Sequence, residues 1–158
     1  MELVVEKPYS TFLFQTSHLT LISTTHALYR GCYDISLLVG LALVTSLNYW
    51  RNPTYGLRRN MDIICVFIAL FYHIHISRGA EMAYFAQPFL ILGMLSYPTS
   101  WYYMKHENKW IPTYYHALVQ LFFFLYCNIL YSGRLECGLD FSPQLASVSG
   151  CAPPSDYP

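Results

Sequence analysis

Six histidines, five cysteines and nine carboxylates are the groups with which this chain could do metal or covalent chemistry. Their spacing excludes the familiar constellations. There is no Cys-x-x-Cys, no Cys/His run with zinc-site spacing, no Gly-x-Ser-x-Gly, no phosphate loop and no His-Glu-x-x-His. His73-Ile-His75 sets two imidazoles on different faces of a helix, a poor bidentate pair. A bis-histidine haem needs imidazoles at one depth, and His73 and His116 lie near opposite ends of their segments. His26, Asp34, His73 and His75 do gather toward one end. They could bind a metal or hydrogen-bond at the level of lipid headgroups, and the second role is the simpler.

The other end holds a second group. Ser46 and Trp50 are four residues apart, hence on one helix face, and Asp62 follows across a short loop. His116 and Gln120 repeat the spacing near the start of a later segment. An ionisable group at such a position within an apolar segment marks a site to be tested.

This set resembles the alkaline ceramidase and adiponectin-receptor superfamily of membrane hydrolases. There a Ser precedes a His by four residues at the end of one span, and an Asp opens the next. A His-x-x-x-His pair lies in the last span, and three His hold zinc. Ser46, Asp62 and His116 stand at matching places, with Trp50 where the first zinc ligand belongs and Gln120 where the last does. The resemblance covers five positions and departs from the family in span number, seven there against four visible here. It implies a metal-dependent lipid amidase with Ser46, Asp62 and His116 as catalytic residues. Catalytic zinc needs three protein ligands and an open water position, and Trp cannot ligate. An inactive relative is therefore the form of this reading that the residues allow. The plainer alternative has Ser46 bonding a backbone carbonyl, Asp62 capping its helix or pairing with Arg58 or Arg59, and His116 bonding a tyrosine.

The elements that must position these residues are set by composition. Hydrophobic residues make up 54% of the 158, and charged residues 11%, against roughly 25% charged in soluble domains. Net charge is zero, which excludes a nucleic-acid-binding patch, an acidic tail and a disordered chain. Every charge lies outside four windows, which predict four transmembrane helices over about 33–50, 61–77, 82–103 and 111–132. Leu37 to Val44 and Leu121 to Leu125 are apolar all round, unlike a soluble bundle helix. Pro88 and Pro98 should kink the third helix or end it near Tyr97. Thr11–Tyr29 carries two His, Gln15 and seven Ser or Thr, which would need partners in lipid. An interfacial or re-entrant helix is expected there. The expected fold is all-α and polytopic: one transmembrane helical domain over 1–134, then an extended or disordered tail over 135–158.

With four spans, the loops around Arg51–Asn60 and Lys105–Lys109 share side one, and the N-terminal segment, the Arg78–Glu81 turn and the tail share side two. Side one carries most of the positive charge, so the Arg51–Arg59 loop is expected to be cytoplasmic, in an endomembrane or organellar membrane. Cys65 and Cys127 fall within spans. Cys137 and Cys151 share the tail on side two, where a disulfide is sterically easy, with free thiols the other reading.

The function expected is non-enzymatic: a small subunit, scaffold or lipid-binding component of a membrane assembly. Its partners are membrane lipids and other membrane-protein subunits, with no nucleic acid and no cofactor. Zinc enters only with the hydrolase alternative. A small-solute or proton carrier ranks third, because charged pairs and unwound mid-span segments are not evident.

Overall fold

Long apolar runs bounded by charges fold here into helices. The computed structural model describes residues 4–105, 108–135 and 137, and the regular elements among these described residues are all helical. The elements are α1 (Tyr9–Ser17), α2 (Leu19–Tyr29), α3 (Tyr33–Arg51), α4 (Leu57–Ile76), α5 (Ala83–Tyr103) and α6 (Trp110–Ser132), with a single 3-10 turn at Ser77–Gly79. The last four helices hold 19, 20, 21 and 23 residues. At 1.5 Å per residue they measure about 28–35 Å. By length and hydropathy, Leu57–Gly79 and Trp110–Ser132 are apolar enough to cross a membrane. α5 contains both Pro88 and Pro98 and still runs on to Tyr103.

Small residues decide which helices touch. Ser36 and Gly40 meet α2: Ser36 Oγ donates to the Thr24 carbonyl at 3.2 Å, and a Cβ on Gly40 would lie 3.5 Å from Thr24 Cγ2. Gly93 likewise lets α5 approach Phe122 and Val119 of α6. α4 rests on α3, α5 lies along α6, and α1 and α2 fill the space between α3 and α6. The main core packs Ile35 and Val39 against Tyr126, Leu130 and Tyr131, and a smaller one joins Leu13, Tyr49 and Trp50.

The N-terminal segment, expected to be an interfacial or re-entrant helix, lies lengthwise against α6. α1 and α2, broken only at His18, run parallel to α6 for its whole length. Tyr9 meets Trp110 with ring centroids 4.8 Å apart, and Phe12 meets Tyr114 at 5.7 Å. Gln120 Nε2 donates to Ser17 Oγ, Asn128 Nδ2 to Ser23 Oγ, and Arg30 to the Gly133 carbonyl, at separations of 103, 105 and 103 residues. The register therefore holds from one end to the other. Val4 N donates to the Pro53 carbonyl at 2.8 Å, which puts the start of the described chain at side one and not side two.

The physical reason lies in the hydroxyls and imidazoles of this segment, which find their partners inside the bundle. Ser17, Thr24 and Thr25 donate to the carbonyls of Leu13, Thr20 and Leu21 in their own helices. His18 Nδ1 donates to the Phe14 carbonyl at 2.9 Å. Asn128 on α6 completes the set, accepting from His26 Nδ1 at 2.9 Å while donating to Ser23.

A disulfide joins Cys32, at the α2–α3 turn, to Cys137, with Cα atoms 5.3 Å apart. This corrects the expected Cys137–Cys151 pair, since Cys137 can bond only one partner. Adjacency in sequence suggested the pair, whereas the parallel run of α2 and α6 brings Cys32 to the chain leaving α6. Cys151 and the tail over 138–158 lie outside the described residues, as do His106, Glu107 and Glu136.

Two outcomes follow. Asn128→Leu should lower unfolding stability in detergent by about 0.6–1.7 kcal/mol for each interhelical bond lost. Peptide mapping under non-reducing conditions should recover a Cys32–Cys137 linkage, and Cys151→Ser should leave it intact.

Candidate functional site

Asp62 sits in the second turn of α4, and Ala69 and His73 extend its inward face. All three are buried, while Val66 on the same stripe stays 42% exposed. The face lies on α3, whose Ser46 Oγ donates to Asp62 Oδ1 at 2.5 Å, with Thr45 Oγ1 at 3.5 Å. Arg59 instead lies over the Tyr55 ring, 5.4 Å from its centroid. Asp62 thus couples α3 to α4 through hydroxyls, which is neither a helix cap nor an arginine pair.

His116 stands elsewhere. Its ring meets Trp50 edge-on at 4.9 Å and Tyr97 at 6.2 Å, and no hydrogen bond joins it to Ser46 or Asp62 among the described residues. The hydroxyl and the carboxylate are brought together; the imidazole is not part of their hydrogen-bonded unit. Gln120, one turn further along α6, is committed to α1. Its Oε1 accepts from Thr16 Oγ1 and its Nε2 donates to Ser17 Oγ at 3.0 Å.

These partners test the zinc site that the resemblance implies. Trp50 has no ligating atom and is packed between Tyr49 and His116. Both polar atoms of Gln120 are spent on helix contacts, leaving His116 as the one imidazole of the set. The residues present do not fit a three-histidine zinc centre. No group of three His, Cys, Asp or Glu stands ready to hold a metal ion among the described residues.

His116 does line a cavity of about 180 Å³ at side one, open on one side and bordered by the segment entering α1, the end of α3, the end of α5 and the start of α6. Trp50 and Leu13 form apolar wall, while Glu6, Lys109, Ser100 and Thr113 supply polar groups. Sequence reasoning missed Glu6 and Tyr9 here because it placed the N-terminal segment at the other end, whereas it did place Lys109 at side one.

The side-two cluster is real in part. His73 is fully buried; its Nδ1 donates to the Ala69 carbonyl at 2.6 Å, so a neutral ring accepts the Tyr131 hydroxyl at Nε2, 2.5 Å away. Tyr131 also meets the His26 ring at 5.7 Å. Cys127 Sγ approaches His73 Nε2 at 3.7 Å, and Tyr126 donates to the His73 carbonyl. Asp34, in the first turn of α3, accepts the Tyr72 hydroxyl. His75 points away and is exposed. Tyr72, Tyr126 and Tyr131 are what join this cluster.

No protein-family model, curated protein or solved structure matches this chain.

Ser46→Ala should cost about 1–3 kcal/mol of stability by stripping a donor from a buried carboxylate. Asp62→Asn should cost less, since its amide oxygen still accepts Ser46; denaturant titration of the purified variants ranks them. Metal analysis of purified protein should find far less than equimolar zinc, and equimolar zinc would demand ligands other than Trp50 and Gln120.

Proposed function

We propose that this chain is a non-enzymatic, multi-span membrane protein whose bundle crosses the bilayer five times and serves as a subunit, scaffold or lipid-binding component of a membrane assembly. The observation that carries the reading is the outer surface. Leu37, Val44, Phe71, Ile91 and Leu95 are each more than half exposed on helices that carry no charge at that depth. A monomeric soluble protein rarely leaves so continuous an apolar surface in water. In a bilayer the same surface faces acyl chains, and the backbone is already satisfied within helices.

Charge and redox chemistry support one orientation. Lys7, Arg51, Arg58, Arg59, Lys105 and Lys109 gather at side one, the cytoplasmic side by the distribution of Lys and Arg. The Cys32–Cys137 disulfide sits at side two, consistent with an oxidising lumen or exterior. Five crossings set the two ends of the chain on opposite sides.

A second reading, a catalytically silent relative of the ceramidase-type hydrolases, is favoured by one observation, the Ser46–Asp62 contact across α3 and α4. Its activity would need zinc ligands that Trp50 and Gln120 do not provide.

The test is topological. The protein should remain with membranes through alkaline extraction. In sealed membrane vesicles whose cytoplasmic face is outward, a Cys at the exposed Asn52 and an N-terminal epitope should both be accessible to impermeant reagents without permeabilisation, and a C-terminal epitope only after it. Labelling of the N-terminal epitope on the C-terminal side would defeat the five-crossing arrangement.

A further inference from the structure

We infer that the side-one cavity is a subsite for a phosphoethanolamine headgroup of a membrane phospholipid, an inference that rests on the membrane location proposed above. Its volume is about 180 Å³ and it is open on one side, so a headgroup can enter while the acyl chains stay outside. Tyr9, Trp50 and Trp110 frame the same end of the bundle, at the level where aromatic side chains meet headgroups.

The decisive feature is His116. Other imidazoles and amides inside the bundle are committed to one another: His26 to Asn128, His73 to Tyr131, Gln120 to Thr16 and Ser17. His116 takes no hydrogen bond from any described residue and lines the cavity, held in place by ring contacts with Trp50 and Tyr97. Its donor and acceptor nitrogens are left for an occupant.

The surrounding groups specify the occupant's chemistry. Ser100 Oγ spends its proton on the Pro112 carbonyl and Thr113 Oγ1 on the Lys109 carbonyl, each at 2.7 Å. Toward the cavity these hydroxyls can only accept. Together with the Glu6 carboxylate, they favour a primary ammonium, which donates N–H bonds, over a quaternary one, which has none to give. Lys109 Nζ donates to the Met104 carbonyl at 3.0 Å and keeps two further donors. Lys109 and the His116 N–H suit a phosphate. Opposite charges at one small opening match a zwitterion, and an anionic headgroup without an ammonium leaves Glu6 uncompensated.

The full chain in detergent, exposed to equimolar phosphatidylethanolamine, phosphatidylcholine and phosphatidylglycerol of identical acyl chains, provides the test by native mass spectrometry. Phosphatidylethanolamine should be retained about fivefold over phosphatidylglycerol, the scale of one exposed charge pair. Glu6→Gln should bring those two to parity without touching the bundle core. Thr113→Val should erase the preference over phosphatidylcholine, and Ile91→Val on the outer face should change nothing. Equal retention of all three lipids by the wild-type chain, or an unaltered preference in Glu6→Gln, would overturn the assignment. Soluble phosphoethanolamine competing as well as the lipid would overturn the lipid source. A chain released by alkaline extraction fails the membrane reading itself, whereas a chain that stays in membranes and retains lipids without selectivity fails only the subsite.

Discussion

Asn128 satisfies three partners with one amide: it donates to Ser23 and to the Phe124 carbonyl, and it accepts from His26. Gln120 does the same work two turns earlier with Thr16 and Ser17. Where neither water nor charge is at hand, an unmet polar group is costly, so these two amides dictate where α1 and α2 must lie. Once the pair is fixed beside α6, α3 packs through Ser36 and Gly40, and Cys32 arrives next to Cys137. The remaining helices attach outward from that seam.

The two polar ends of the bundle solve different problems. At side two, tyrosines 72, 126 and 131 tie α3, α4 and α6 together around His73. At side one, the Ser46–Asp62 contact closes the α3–α4 interface, but the region between α1 and α6 stays open around His116. Closed polar clusters hold helices in place; an open one with an uncommitted imidazole is where a ligand adds interactions that the protein does not make by itself.

The resemblance to zinc hydrolases gains a physical boundary from the same contacts. A metal site needs several donors that are free to converge, and here the replacements at two of three positions serve packing. Trp50 supplies buried aromatic surface beside Leu13, and Gln120 supplies an interhelical bridge. Their present roles account for the residues without reference to a metal.

The sequence by itself determined the four later helices. The predicted helices over 33–50, 61–77, 82–103 and 111–132 correspond to Tyr33–Arg51, Leu57–Ile76, Ala83–Tyr103 and Trp110–Ser132, because charges and turn residues border long apolar runs and hydrophobicity is local information. The spacing of Asp62, Val66, Ala69 and His73 puts them on one helix face, of which Asp62, Ala69 and His73 are buried while Val66 stays 42% exposed. What only the tertiary structure decided were pairings. Whether a Ser or Thr burdens a helix depends on the carbonyl four residues back and on an amide more than a hundred residues away, and composition counts neither. Cys137 illustrates it: nearness along the chain favoured Cys151, yet the parallel course of α2 and α6 brought Cys32, 105 residues distant, into bonding range. Side-chain chemistry is written residue by residue, but its satisfaction is a property of which helices meet.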